Sequence, residues 1–130
     1  MNSDDLSRRF LAAVADIPEG GLGFTYGSAP FTEGGFLVRT EEGVRCWRNR
    51  CRHLAVPLDH NDPGRFSTGD GRLLVCSMHG ALYRPADGVC VAGPCEGARL
   101  RPLPVVVEGT NVYLDVGSLP DPLAGFEAPP

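Results

Sequence analysis

The chain has 130 residues, of which 42% are hydrophobic and 22% charged, a composition typical of one soluble globular domain. The formal net charge of −4 argues against a surface shaped mainly for nucleic acid. No apolar run approaches the roughly 18 residues that a membrane span needs, and collagen-like and coiled-coil classes are also excluded. The 17 glycines and 12 prolines favour a β fold with many turns.

Residues 1–18 are predicted to form a short amphipathic helical extension. Ser3 is a suitable N-cap, two aspartates follow it in the first turn, and Pro18 ends the segment. The apolar face would consist of Leu6, Phe10, Ala13 and Val14.

Ser7-Arg8-Arg9 resembles a twin-arginine export signal, but only a short apolar stretch follows it before Asp16. The five cysteines are an odd number, which argues against a disulfide framework. We therefore expect a reducing, cytoplasmic location.

The rest of the chain is predicted to form short strands separated by turns. Residues 36–39 and 44–48 flank a predicted hairpin turn, and residues 72–76 form a short strand. Two further hairpins are predicted at 81–91 and 103–116. The expected fold class is therefore all-β, a small antiparallel sandwich or barrel spanning residues 19–116, followed by a flexible Pro-rich tail at 117–130.

Two short motifs carry the metal chemistry. Cys51 and His53 form a C-x-H motif, and Cys76 and His79 form a C-x-x-H motif; each is placed between a strand and a turn. Four such ligands could hold one tetrahedral zinc ion. Since each loop mixes one thiolate with one imidazole, the set also suits a two-iron cluster, with both cysteines on one iron and both histidines on the other.

With these residues the sequence closely resembles the Rieske family over residues 34–116. Cys51-Arg52-His53-Leu54 and Cys76-Ser77-Met78-His79-Gly80 match its two cluster-binding loops, and the similarity continues through Tyr83, Asp87-Gly88 and Gly93-Pro94. The resemblance implies one 2Fe-2S cluster per chain on Cys51, His53, Cys76 and His79. It also implies that Tyr83 is a candidate hydroxyl donor to a ligand sulfur and that Gly93-Pro94 belongs to a loop covering the cluster.

The resemblance is greatest to the small soluble Rieske-type ferredoxins. Respiratory-chain members have an extra cysteine in each ligand loop and a serine that donates a hydrogen bond to a cluster sulfide, whereas this chain has Val56, Met78 and Ala81 there. Fewer hydrogen bonds to sulfur lower the reduction potential. We therefore expect the lower part of the Rieske range of roughly −150 to +300 mV.

The expected function is one-electron transfer between a reductase and an oxygenase or other oxidoreductase. We expect no enzyme activity of its own, because the chain is too short to add a catalytic mononuclear iron domain. The alternatives are a zinc- or cluster-stabilised interaction module and a small subunit of a nitrite-reductase-like complex. The expected partners are proteins, with neither nucleic acid nor a membrane span involved.

Other residues receive simpler interpretations. A basic rim of Arg48, Arg50, Arg52 and Arg84 could steer docking to an acidic partner, or could simply be solvated. Cys46 is expected to be a small buried hydrophobe and His60 a solvated side chain, with Trp47 packed beside the first ligand loop. Cys90 and Cys95 are expected to be plain thiols, although a disulfide between them is an alternative.

Overall fold

A computed structural model describes residues 8–27, 30, 32–52 and 56–119 of the chain. Within these residues, nine strands form three antiparallel sheets of three strands each. The strands are β1 (Arg8–Ala13), β2 (Leu22–Tyr26), β3 (Glu33–Thr40), β4 (Gly43–Arg48), β5 (Leu74–Val75), β6 (Leu82–Tyr83), β7 (Cys90–Ala92), β8 (Val105–Glu108) and β9 (Asn111–Asp115). The first sheet has the order β1-β9-β8, the second β2-β3-β4 and the third β5-β6-β7.

The predicted all-β architecture and its three hairpins are confirmed. In the β3–β4 hairpin Thr40 pairs with Gly43, whose φ of 116° lies in the region that glycine adopts without strain. The β6–β7 and β8–β9 hairpins also have the predicted positions. None of the helices among the described residues is long and apolar enough to cross a bilayer.

The predicted N-terminal helix is wrong for the part that the structure describes. Residues 8–13 form β1, which pairs antiparallel with β9, and only Val14–Asp16 form a single 3-10 turn. Pairing with β9 gives this segment backbone partners and buries Ala12 beside Val112, which outweighs the weak helical periodicity. Residues 1–7 of the predicted helix lie outside the described residues, as do residues 120–130 of the predicted tail.

The second sheet lies between two hydrophobic cores, because successive side chains of a strand point to opposite faces. On β3, Phe36 and Val38 enter one core, and Leu37 enters the other. The first core also contains the cysteines of both ligand motifs, and Phe36 stacks there on Phe66 with ring centroids 4.5 Å apart. A sheet buried on both faces gives rigid support to the loops that follow its strands.

Candidate metal centre

Each ligand motif stands on a loop that backbone hydrogen bonds close. Cys51 follows the end of β4, and its N–H donates to the carbonyl of Val56 at 2.6 Å. Cys76 follows β5 directly; its N–H donates to Ala81 O and its carbonyl accepts from Gly80 N–H, both at 2.9 Å. Gly80 has a φ of 75°, which allows the tight return of this second loop. His53 lies outside the described residues.

The two loops are joined to each other by hydrogen bonds. Ser77 N–H donates to Leu58 O at 2.8 Å, and Asn61 N–H donates to the Ser77 hydroxyl at 2.8 Å. The Asn61 amide also donates to Ser77 O at 3.3 Å. These bonds place the segment after the first motif against the second motif, so the loops are neighbours although they are distant in sequence.

The two cysteines of the motifs are buried next to each other, with 2% of Cys51 and 1% of Cys76 exposed. Burial raises the pKa of the Cys76 thiol. The adjacent Cys51 thiol raises it further, while the backbone N–H groups of Met78 and His79 act in the opposite direction. His79, in contrast, is exposed. The two motifs therefore have buried thiols and, on the second loop, an exposed histidine.

Tyr83 lies at the centre of the contacts behind these thiols. Its ring is fully buried, and its hydroxyl lies 3.4 Å from Cys51 Sγ and 3.2 Å from Cys95 Sγ. The hydroxyl oxygen accepts a hydrogen bond from Arg52 N–H at 3.0 Å. Burial raises the pKa of Tyr83, so the phenol keeps its proton and can donate it to sulfur.

The Gly93-Pro94 turn packs against the end of the second loop. A methyl group built on Gly93 would lie 2.9 Å from Ala81 Cα, and the φ of Gly93 is 105°. Only a glycine allows this approach without strain. The turn is therefore held close to the end of the second loop, and its role in covering a cluster stays a prediction.

The two buried thiols are the softer ligands of the predicted set. Among the described residues, no three His, Cys, Asp or Glu side chains are grouped to hold one metal ion. A two-iron cluster divides its ligands two to each iron, which requires a pair of thiolates and not a group of three ligands on one ion. The adjacent Cys51 and Cys76 fit the thiolate half of such a cluster.

The predicted basic rim needs correction. Arg48 is buried and pairs with Glu33 at 2.9 Å, and Arg50 pairs with the same carboxylate at 3.3 Å. Arg84 pairs with Asp87 at 2.7 Å, at the turn of the β6–β7 hairpin. Arg48 therefore belongs to the interior, because a buried guanidinium needs a counter-charge, whereas the exposed Arg84 forms a surface ion pair.

Arg52, the remaining member of the predicted rim, lines a groove of about 810 Å³ together with two arginines from later in the chain. Arg52, Arg99 and Arg101 contribute to its walls, together with Pro102 and Pro104. The Arg52 Nε atom is buried and has no hydrogen-bond partner among the described residues. Sequence inspection missed Arg99 and Arg101, because they are far along the chain from the first ligand loop. We call the surface lined by Arg52, Arg99 and Arg101 the arginine groove.

The remaining single-residue predictions concern Cys46, His60 and Trp47. Cys46 is buried as predicted, and burial raises the pKa of its thiol. His60 is exposed, as predicted. Trp47 is anchored mainly to the β6–β7 turn, since its Nε1 donates to Pro85 O at 3.1 Å and its ring lies against Gly88.

Comparisons with known proteins agree with this geometry. The model of the Rieske [2Fe-2S] domain family matches residues 8–113. No curated protein matches the sequence. Among solved structures, a chain from the complex of reduced oxygenase and oxidized ferredoxin in carbazole 1,9a-dioxygenase is 19% identical with a TM-score of 0.63; the match covers 85% of this chain and 94% of that one.

Two further solved structures have the same fold. The ferredoxin of carbazole 1,9a-dioxygenase from Nocardioides aromaticivorans IC177 is 22% identical with a TM-score of 0.60, over 83% of this chain and 96% of that chain. Dicamba monooxygenase bound to 3,6 dichlorosalicylic acid is 25% identical with a TM-score of 0.61, over 88% of this chain and 35% of that chain. The chain thus matches nearly the whole length of the ferredoxin and about a third of the monooxygenase.

Proposed function

Because this chain belongs to the Rieske [2Fe-2S] family, we propose that it is a one-electron carrier whose cluster is held by Cys51, His53, Cys76 and His79. Family membership identifies the cofactor as one 2Fe-2S cluster per chain. The bound cluster supplies the one-electron chemistry, and the protein supplies ligation, burial and access. The observation that carries the proposal is the pair of adjacent buried thiols, Cys51 and Cys76, on two hydrogen-bonded loops.

The exposure of the second loop indicates where an electron would leave. Cys51 and Cys76 lie in the first core behind the loops, whereas His79 is exposed. A partner can therefore approach the imidazole side more closely than the sulfur side. We propose that the histidine side faces the redox partner, with His53 assigned to it from the sequence motif alone.

Local hydrogen bonding supports a potential in the lower part of the Rieske range. Position 81 has a fully buried alanine, which has no hydroxyl to donate to a cluster sulfide. Val56 and Met78 pack partly buried against the first core, at the positions where respiratory members have their extra cysteines. Tyr83 then remains a hydroxyl donor near a ligand sulfur. Protein-film voltammetry tests this, and a midpoint above about +150 mV contradicts it.

We propose that the electron passes from a reductase to an oxygenase, in the cytoplasm, and that the chain has no catalytic centre of its own. The similar solved structures include a complex of oxygenase and ferredoxin. The arginine groove begins at Arg52, the middle residue of the first motif, while the whole chain is acidic with a net charge of −4. A local basic surface on an acidic protein favours docking to an acidic face of the partner.

Ligation is tested by comparing histidines inside and outside the motifs. We expect anaerobically purified protein to be brown and to give a Rieske-type EPR signal after reduction with dithionite. The variant His79→Ala should lose this signal, and the matched variant His60→Ala should keep it. A colourless protein with one zinc ion per chain would instead favour the metal-stabilised interaction module. Retention of the signal in His79→Ala removes His79 from the ligand set.

Partner docking is tested with charge reversals in the arginine groove. The double variant Arg99→Glu/Arg101→Glu should slow electron transfer to an oxygenase at low salt, and the difference from the wild type should shrink as salt rises. Arg39→Glu reverses a charge at the exposed end of β3, outside the groove, and serves as the control. Equal rates for the double variant and wild type at low salt contradict docking through the groove.

A further inference from the structure

Cys90 and Cys95 face each other across the turn that contains Gly93 and Pro94. Their Sγ atoms are 3.3 Å apart, with the Cys95 thiol donating a hydrogen bond to Cys90 Sγ, and no disulfide joins them. Backbone hydrogen bonds fix this arrangement: Gly97 N–H donates to Cys90 O and Ala98 N–H donates to Cys95 O, both at 2.9 Å. A disulfide needs a sulfur separation of about 2.05 Å, so the two side chains must approach by only about 1 Å.

The two thiols differ in access to solvent. Cys95 is half-buried between the exposed Pro94 and Glu96, whereas 1% of Cys90 is exposed. Burial and the neighbouring Cys95 raise the pKa of Cys90 to about 11. A small oxidant in solution therefore reaches Cys95 first. Cys90 lies close enough to react with the oxidised Cys95 in a second step. Redox-active cysteines are accessible to solvent and often stand next to a second, resolving cysteine, which is the position of Cys95 relative to Cys90.

The pair is connected to the proposed cluster site through one hydroxyl. Tyr83 OH lies 3.2 Å from Cys95 Sγ and 3.4 Å from Cys51 Sγ. The oxygen accepts from Arg52 N–H, and its single proton can be donated to only one of the two sulfurs at a time. The chemical state of Cys95 thus changes how fully Tyr83 donates to Cys51.

We propose that Cys90 and Cys95 form a reversible dithiol–disulfide switch that adjusts the reduction potential of the cluster through Tyr83. The oxidant class is a low-molecular-weight disulfide such as oxidised glutathione. Cys95 sulfur attacks it and releases one thiol; Cys90 sulfur then attacks the mixed disulfide and releases the second thiol. Two electrons and two protons pass from the protein pair to the small disulfide, and excess small thiol reverses both steps.

Oxidation should raise the cluster potential. The disulfide sulfur of Cys95 has no proton to give and is a weak acceptor, so Tyr83 donates to Cys51 without competition. A stronger hydrogen bond to a ligand sulfur stabilises the reduced cluster. Such a transient bridge is compatible with a reducing cytosol, where disulfides are mostly catalytic or redox-sensing. The oxidation of Cys90 and Cys95 does not depend on the proposed function. The effect on the reduction potential of the cluster does rest on that function.

The first measurement follows the bridge alone. Holoprotein treated with oxidised glutathione is acid-quenched and labelled with N-ethylmaleimide in denaturant. We expect two of the five cysteines to escape labelling and the peptide that contains both Cys90 and Cys95 to become lighter by two hydrogens. Cys46→Ala should still form the bridge, and Cys95→Ala should not. Complete labelling of the wild type overturns the proposal, whether or not the cluster is present.

The second measurement compares midpoint potentials of the two forms. We expect a positive shift on oxidation that dithiothreitol reverses, no shift in Cys95→Ala, and no shift in Tyr83→Phe, which still forms the bridge. A bridged wild type with an unchanged or lower potential overturns the coupling through Tyr83. If the untreated protein gives no EPR signal, the proposed electron-carrier function is contradicted instead. Failure of the switch and failure of the proposed function can therefore be distinguished.

Discussion

Removal of the Tyr83 hydroxyl is the sharpest test of the site. In Tyr83→Phe the fully buried ring keeps its packing, so no cavity forms, and only the hydroxyl contacts to Cys51 Sγ, Cys95 Sγ and Arg52 N–H are lost. One neutral hydrogen bond contributes about 0.5–1.5 kcal/mol. If the bond to Cys51 favours the reduced cluster by that amount, its loss lowers the one-electron midpoint by about 20–65 mV, since a tenfold change in equilibrium corresponds to about 59 mV.

The midpoint is measured by protein-film voltammetry on the dithiol form, with EPR to show that the cluster is intact. The same variant leaves Arg52 N–H without its acceptor, so we also expect the free energy of unfolding to fall by about 1–3 kcal/mol. Tyr113→Phe makes the same chemical change on β9, in the first sheet, and should leave the potential unaltered. A midpoint that stays equal or rises in Tyr83→Phe, with a normal EPR signal, refutes the assigned hydrogen bond.

Three further predictions concern the support of the site. Glu33→Gln removes the counter-charge of buried Arg48 and should destabilise the fold by about 3–5 kcal/mol, measured by chemical denaturation. Gly93→Ala places a methyl group 2.9 Å from Ala81 Cα at a positive φ, and should cost about 1–3 kcal/mol in the same assay. The pKa of Asp87 is lowered by its guanidinium partner below the ordinary 3.8, so its carboxylate stabilises the fold above that value and this contribution disappears as the pH falls through the lowered value. Melting temperatures should therefore fall less steeply with acid in Asp87→Asn than in the wild type.

The first two of these predictions each have a matched control variant. Glu42→Gln breaks an exposed pair and should change stability by no more than about 1 kcal/mol. Gly97→Ala introduces a methyl group at a similar φ of 91° but into open space, which separates the clash from backbone strain. Equal losses within either pair would contradict the buried ion pair or the close approach, respectively. Parallel acid-melting curves for wild type and Asp87→Asn would contradict the role of that carboxylate.

The sequence by itself determined the local features of this protein. The hairpins follow from alternating apolar residues and from glycines at turns such as Gly43, because both signals act between near neighbours in the chain. The two ligand motifs are also local patterns, and their cysteine–histidine spacing led to the family that the whole-domain match shows.

The tertiary structure decided the features that depend on distant partners. Residues 8–13 form a strand because the edge of β9 is available for pairing. The helical periodicity of the segment gives no information about this distant partner. Arg48 is buried because Glu33 lies opposite, whereas Arg99 and Arg101 reach the groove beside Arg52 from far along the chain. The meeting of Tyr83 with Cys51 and Cys95 likewise results from packing, since contact distances are set by the fold and not by sequence separation.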